Sequence, residues 1–445
     1  MILKDKLETQ IPEWRDRVKR LVKEHGTVKV GEVTIAQVYG GMRDVKGLVT
    51  DISYVDPNEG IRLRGFTIPE LLVRLPKPEG AEMPLSGGLY YLLLLGEIPT
   101  LEEAMEVENE WKARSELPSY VIDMINAMPE DTSPMTLFSQ AVLAMQHEAL
   151  FAKKYHEGMR KEEYWQPMLE DSLNLTAKLP AIAAYIYRLK NGMGERITAN
   201  PDLDWSANFA HMMGIEDKDY EDLSRLYFMV HSDHESGNAS AHAAHLVAST
   251  LSDIYYAASG ALNALAGPLH GLANQESLRW LVEVYDKYGR VPSEGELEKF
   301  AWDTLNSGQV IPGYGHAVLR KTDPRFTALM EFGKRHFSKE DEIFQLACLV
   351  YDIVPQVLRD QGKAKDPWPN VDAISGSLQY HFGVKDCGGP SGCGYYTVMF
   401  GISRLLGVSA NVIWARALGQ PIERPKSLTT VMLEEIAAKQ EQPVT

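Results

Sequence analysis

Residues Ala177–Leu189 read AKLPAIAAYIYRL. Apolar side chains recur there at intervals of three and four, the spacing that lines one face of an α-helix. The Glu- and Ala-rich stretch Leu101–Arg114 and the stretch Ala410–Leu418 read as helices too. Strand-like alternation is sparse. Val28–Ile35 is one short candidate and Thr50–Val55 a second. The fold class that follows is all-α, mainly helical, with a small N-terminal β element. No repeat of about 20 to 50 residues appears, which argues against a solenoid.

The chain has 445 residues, room for two or three domains at roughly 150 residues each. A chain of that length buries a large core without disulfides or metals. Its net charge of −16 argues against nucleic-acid binding, which needs a basic surface. An anionic ligand would need a local basic pocket. Three cysteines, Cys348, Cys387 and Cys393, are no disulfide framework and fit a reducing compartment. Cys387 and Cys393 flank CGGPSGC and read as two free thiols that could pair. The N-terminus MILKDKLETQIPEWRDRVKRLV is amphipathic with mixed charge. It has neither the apolar centre of a secretory signal nor the acid-poor bias of a transit peptide. The apolar run Leu89–Leu95 is too short to span a bilayer and is expected as a buried helix. Ser240–Ala266, rich in Ala, Ser and Gly, suits close helix packing, across a subunit interface among other places.

Six short segments carry chemistry. HSDHESGNASAHAAH holds His231, His234, His242 and His245. Four histidines invite a metal reading, yet HExxH is absent and no cysteine is near. His234, where a polar Gly-containing stretch meets an Ala-rich helix, could donate a hydrogen bond to a ligand carboxylate or carbonyl. AGPLHGLANQE places His270 after the helix-breaking Gly267 and Pro268, near the start of the next helix. The macrodipole there disfavours a positive imidazole. A neutral histidine can still donate to a developing enolate, and a capping or core role is the alternative. VIPGYGHAVLRKTDPR makes a tight loop at Pro312, Gly313 and Gly315, then gives His316, Arg320, Lys321 and Arg325. Such a set suits an anionic carbonyl compound. PWPNVDAISG puts Asp372 in apolar surroundings, where burial raises its pKa and strengthens it as a base. Downstream, FGISR and PIERPKS supply Arg404 and Arg424. With Arg325 these forks could hold both ends of a small dicarboxylate; surface ion pairing is the alternative.

GPLHGLANQE, PGYGHAVLRKTDPR, PNVDA, FGISR and ERPKS occur in this order, preceded by YGGMRDVKGL (Tyr39–Leu48) and DPNEGIRLRG (Asp56–Gly65). Together they resemble the citrate synthase family, most its eukaryotic-type branch, from about Val28 through Lys426. The resemblance implies a mostly α-helical homodimer that closes over its substrates. It implies a large domain from residues 1–270 and 386–445 and a small domain at 271–385. Asp372 would take a proton from the methyl of acetyl-CoA, His270 would hydrogen-bond the enol(ate) oxygen, and His316 would polarise the oxaloacetate carbonyl. Water then cleaves the citryl thioester to citrate and CoA. His234, Arg325 and Arg404 would hold oxaloacetate, with Arg424 contributed by the partner subunit. Arg43, Lys161 and Arg320 would meet the coenzyme A phosphates, and the backbone at Val310, Gly313 and Gly315 would face the adenine.

No metal or redox cofactor is implied, since the thioester is itself a substrate, and neither is a nucleic-acid or membrane partner. A 2-methylcitrate synthase using propionyl-CoA is the alternative, because one methylene discriminates weakly. A ligand sensor without catalysis is disfavoured by the presence of every catalytic-type residue. Three departures stand out: Ile374 where many relatives carry histidine, Lys161 in place of arginine, and a longer stretch, HFGVKDCGGPSGCG, between Tyr380 and Tyr395. Lacking a presequence, the chain is expected in a bacterial cytoplasm, or in the mitochondrial matrix if it is a mature form.

Overall fold

Helices form where apolar residues recur at helical spacing and bury that face against one another. The computed structural model describes residues 1–316, 318–364, 366–384 and 394–441, and helix dominates it. Ala177–Leu189 lies inside the helix Trp165–Lys190, buried along most of its length. Pro180 in its middle has no N–H for the carbonyl of Thr176 four residues back. The indole Nε1–H of Trp205 donates to that carbonyl instead, at 2.9 Å. A neighbouring helix, Trp205–Met213, thus supplies the donor that proline removes.

Leu89–Leu95 falls in the helix Ser86–Leu95, buried at every residue. Leu101–Ala113 opens on a capping box of Thr100 and Glu103, which satisfies two backbone donors at the helix start. Ala410–Leu418 ends a longer helix, Tyr395–Ala417. That helix is long and apolar enough to cross a membrane, but 94% of its apolar window is covered by the protein itself. It is a core helix. The small-residue stretch folds as Ala239–Ser249 and Ile254–Leu265. A Cβ on Gly260 would stand 3.2 Å from Val247 Cγ2, so small residues let these two helices close up.

The β element is one antiparallel sheet of β1 (Ser53–Asp56), β2 (Gly60–Leu63) and β3 (Phe66–Thr67), in that order. Ser53 pairs with Leu63, and Val55 with Ile61. The candidate at Thr50–Val55 overlaps β1. Val28–Ile35 is a correction: residues 28–34 are irregular, and Thr34 caps a short helix, Ile35–Tyr39, through a capping box with Gln37. Val28, Val30 and Val33 stay exposed. Alternation alone does not hold a strand, which needs a neighbour's backbone to pair with.

Two apolar clusters form. The larger draws on most of the chain. The second is confined to residues from Trp280 to Leu358, among them Leu281, Val284, Leu297, Val350 and Val354. Tyr314 packs against both and is the one such side chain among the described residues. Cys348 is a half-buried free thiol. Cys387 and Cys393, and with them the question of their pairing, lie outside the described residues.

Candidate active site

The Gly-rich loop is shaped by crowding. Gly313 and Gly315 take φ of 79° and 89°, a region that strains any residue with a Cβ. A Cβ on Gly313 would also stand 2.6 Å from Ala373 Cα. The loop therefore presses its backbone onto the helix Asp372–His381. Hydrogen bonds fasten it there. Gly315 N–H donates to Trp368 O at 3.0 Å, Asn370 N–H to Gly313 O at 2.9 Å, and Asp323 N–H to Pro369 O at 3.2 Å. Asn370 Nδ2 donates to Gly315 O at 3.2 Å, and its Oδ1 accepts the N–H of Asp372 at 3.0 Å. The proline-stiffened turn thus joins His316 and Asp372 in one unit.

His316 Nδ1 accepts the N–H groups of Val318 and Leu319, both at 3.0 Å. Its proton is then on Nε2, directed away from its own loop. Burial, aided by the charge of Arg325, pushes its pKa down to about 4, so it is neutral at pH 7. The His234 ring lies 5.6 Å away, centre to centre. Burial and the arginines 325 and 404 hold His234 neutral as well.

His270 sits in a tight turn ahead of the helix Ala273–Tyr288, as its Gly-Pro context predicts. Its own N–H bonds to Gly267 O at 3.0 Å, and Gly271 N–H to Leu265 O at 3.0 Å. Ser240 N–H donates to His270 Nε2 at 3.3 Å, with Ser240 Oγ 3.0 Å away. An accepting Nε2 leaves the proton on Nδ1. Burial, then the charge of Arg404, pushes this pKa down to about 4.

The two buried arginines near these histidines, Arg325 and Arg404, differ. Arg325 is bound by Asp323, with Nη2 to Oδ2 at 2.7 Å and Nε to both oxygens at 3.1 Å. Arg404, only 2% exposed, has no carboxylate partner among the described residues. It donates to His231 O at 3.2 Å, Asn238 Oδ1 at 3.0 Å and Ser240 Oγ at 3.2 Å, and lies over the Phe400 ring. Burial lowers its pKa to about 10, which still leaves it cationic at neutral pH. Asp372 Oδ1 is buried, with no hydrogen-bond partner among the described residues. Burial raises the carboxyl to about 6; Asp323 pushes the same way while Arg325 and Arg404 oppose.

Arg325 therefore lies within electrostatic reach of His234, His316 and Asp372, and Arg404 within reach of His234, His270 and Asp372. Of the other predicted residues, Arg43, Lys161, Arg424, Val310 and Arg320 are exposed, Arg320 turning its Nη1 onto the carbonyls of Val318 and Leu319, while Gly313 is buried and Gly315 half-buried. The four histidines at 231–245 do not converge. His231 Nδ1 bonds to Tyr227 O at 2.9 Å and His242 to Glu423 at 2.8 Å. No group of three or more His, Cys, Asp or Glu able to hold a metal occurs among the described residues. Sequence reasoning passed over Asn238, Ser240, Asp323 and Asn370, which hold the site together. Asn238 had a signal, since Asn directly before an Ala-rich helix is a preferred N-cap.

A buried carboxylate with a raised pKa, neutral histidine donors and an arginine held by neutral partners can together take a proton next to a carbonyl and stabilise the charge that results.

Residues 41–426 match the family model described as citrate synthase, C-terminal domain. A probable mitochondrial citrate synthase of Glossina morsitans morsitans is 50% identical over 439 residues, 98% of this chain and 93% of that protein. The crystal structure of citrate synthase from Pyrobaculum aerophilum superposes with a TM-score of 0.75 at 29% identity, covering 90% of this chain and 95% of the other. The ternary complex of carboxymethyl coenzyme A and oxaloacetate with citrate synthase from Thermoplasma acidophilum gives 0.73 at 24% identity, over 90% and 97%. At that identity the likeness is one of fold.

Proposed function

This chain belongs to the citrate synthase family, and on that footing we propose that its cleft joins acetyl-CoA to oxaloacetate through Asp372, His270 and His316. The protein is an acyltransferase whose product, citrate, feeds the tricarboxylic acid cycle. The 2-methylcitrate reading is not favoured by its relatives. Asp372 takes a proton from the acetyl methyl, and its raised pKa makes it a stronger base than an exposed carboxylate. His270 Nδ1–H donates to the enol(ate) oxygen. The carbon so activated attacks the oxaloacetate ketone, polarised by Nε2–H of His316. Water then cleaves the thioester, releasing citrate and CoA. Every step is proton transfer or carbonyl addition, so no metal or redox cofactor enters.

His234, Arg325 and Arg404 hold oxaloacetate, Arg404 supplying the uncompensated charge. Arg43, Lys161 and Arg320 face the coenzyme A phosphates, with Val310, Gly313 and Gly315 along the adenine. The exposure of Arg43, Lys161 and Val310 suits a bulky, anionic group. Arg424 serves the cleft of the partner in a homodimer. It is exposed on its own chain, flanked by the exposed apolar side chains Ile422, Leu428, Val431 and Met432. Residues 271–385 form the small domain that closes on the rest; the apolar cluster confined to part of that range supports this reading, although other buried residues there, such as Phe326 and Ile374, pack in the larger cluster. The mitochondrial relative supports the matrix over the bacterial cytoplasm that the N-terminus suggested.

The observation that carries this reading is the buried carboxylate oxygen Oδ1 of Asp372, without a hydrogen-bond partner among the described residues, on a carboxyl that burial raises to about 6. Thiol release by the purified protein is the test. With oxaloacetate, acetyl-CoA should turn over far faster than propionyl-CoA, and a clear preference for propionyl-CoA would overturn the assignment.

A further inference from the structure

His234 stands in a segment that its own helix does not hold. Ser232–Ser236 follows the helix Lys218–Val230 and precedes Ala239–Ser249. Its backbone is strained: Glu235, next to the histidine, takes φ of 59°, the left-handed region that costs a residue with a Cβ about 1 kcal/mol or more. Such strain persists only where the surroundings enforce it.

The enforcement comes from the N-terminal sheet, about 180 residues away in sequence. Ser53, at the start of β1 and 3% exposed, reaches both flanks of His234. Its Oγ donates to Asp233 Oδ2 at 2.6 Å and accepts the N–H of Glu235 at 2.8 Å. Two residues along β1, Val55 N–H donates to Glu235 Oε1 at 2.6 Å. On the other side Gly407 admits the segment; a Cβ there would stand 2.6 Å from Asp233 Cβ.

We propose that Ser53 and Glu235 are positioning residues for keto-dicarboxylate binding, the β1 edge clamping both sides of His234 and so aiming its imidazole into the cleft. This rests on the reading above that His234 contacts oxaloacetate. The small sheet then serves the site through one serine hydroxyl and one backbone N–H. Neither Ser53 nor Glu235 needs to touch substrate.

The test uses the full chain, with KM for each substrate, kcat and thermal midpoint measured together. Ser53→Ala and Glu235→Gly should each raise the oxaloacetate KM about tenfold, the scale of one buried hydrogen bond, while the acetyl-CoA KM stays within about twofold. Glu235→Gly removes the strain along with the clamp, so its midpoint should move little while the oxaloacetate KM rises. A merely structural residue would not give that separation. Glu235→Gln keeps an oxygen that can accept from Val55 and should stay close to the parent. His234→Gln is the control. If it weakens oxaloacetate while Ser53→Ala and Glu235→Gly bind normally, the clamp is wrong and the site reading stands. If His234→Gln has no effect, both fall together. Should Ser53→Ala fail to fold, Glu235→Gly decides alone.

Discussion

The two walls of the cleft solve different problems with the same residue types. On one, Arg404 and His270 are held by neutral partners: a carbonyl, Asn238 and Ser240. On the other, Arg325 is neutralised by Asp323 while Asp372 keeps a carboxylate oxygen without a donor. The first wall carries a positive charge that no described carboxylate pairs with directly, though Asp233 and Asp372 lie within its field, in a chain of net charge −16. The second carries a base. The unpaired cation and the base thus belong to different sets of contacts, and substitutions of Arg404 and of Asp372 should report on different constants.

The largest separation is expected at the base. Asp372→Ala should lower kcat about a thousandfold or more, while oxaloacetate affinity measured by calorimetry changes only a few-fold. A comparable loss in affinity would break the division between the walls. Next come the arginines. Arg404→Leu should weaken oxaloacetate binding about a hundredfold, since it removes charge-assisted contacts. Arg325→Leu should cost more in stability, about 3 kcal/mol by urea denaturation, because it leaves Asp323 buried and unpaired. Equal stability losses would mean that the contrast in pairing has no consequence.

Gly313→Ala tests the clamp between His316 and Asp372. The crowded Cβ and the left-handed φ should lower stability by about 2 kcal/mol and kcat about tenfold.

The smallest effect is in pH. Asp372 works only when ionised, so kcat should fall as pH drops through about 6, with His270 and His316 still neutral down to about 4. Stability separates the groups by sign. The histidine pKa values are depressed on folding, so the unfolded chain binds protons first. Their contribution is complete above about 6.5 and is lost as pH falls toward 4. The Asp372 pKa is raised, so its ionisation subtracts stability as pH rises from 3.8 to about 6. Denaturation curves across this range, with and without Asp372→Asn, check both signs.

Much of this was legible in the sequence because the cues are local. Gly267-Pro268 ends a helix and Gly313 and Gly315 require positive φ, so the turns bearing His270 and His316 could be located. Helical periodicity placed Trp165–Lys190 and Tyr395–Ala417, though not their ends. The rest depends on segments far apart in the chain. Ser53 meets Asp233 only after folding, and nothing near either residue announces the other. Asn370 looks like a turn residue until the loop it fastens is beside it. Val28–Ile35 failed for the same reason in reverse, as its alternation found no strand to pair with.

Tyr314 has a consequence of its own. Its ring packs against both apolar clusters, and its backbone is flanked by the two glycines with left-handed φ. The ring ties the loop that carries His316, two residues on, to both clusters at once, so a shift of either is felt where that imidazole is aimed.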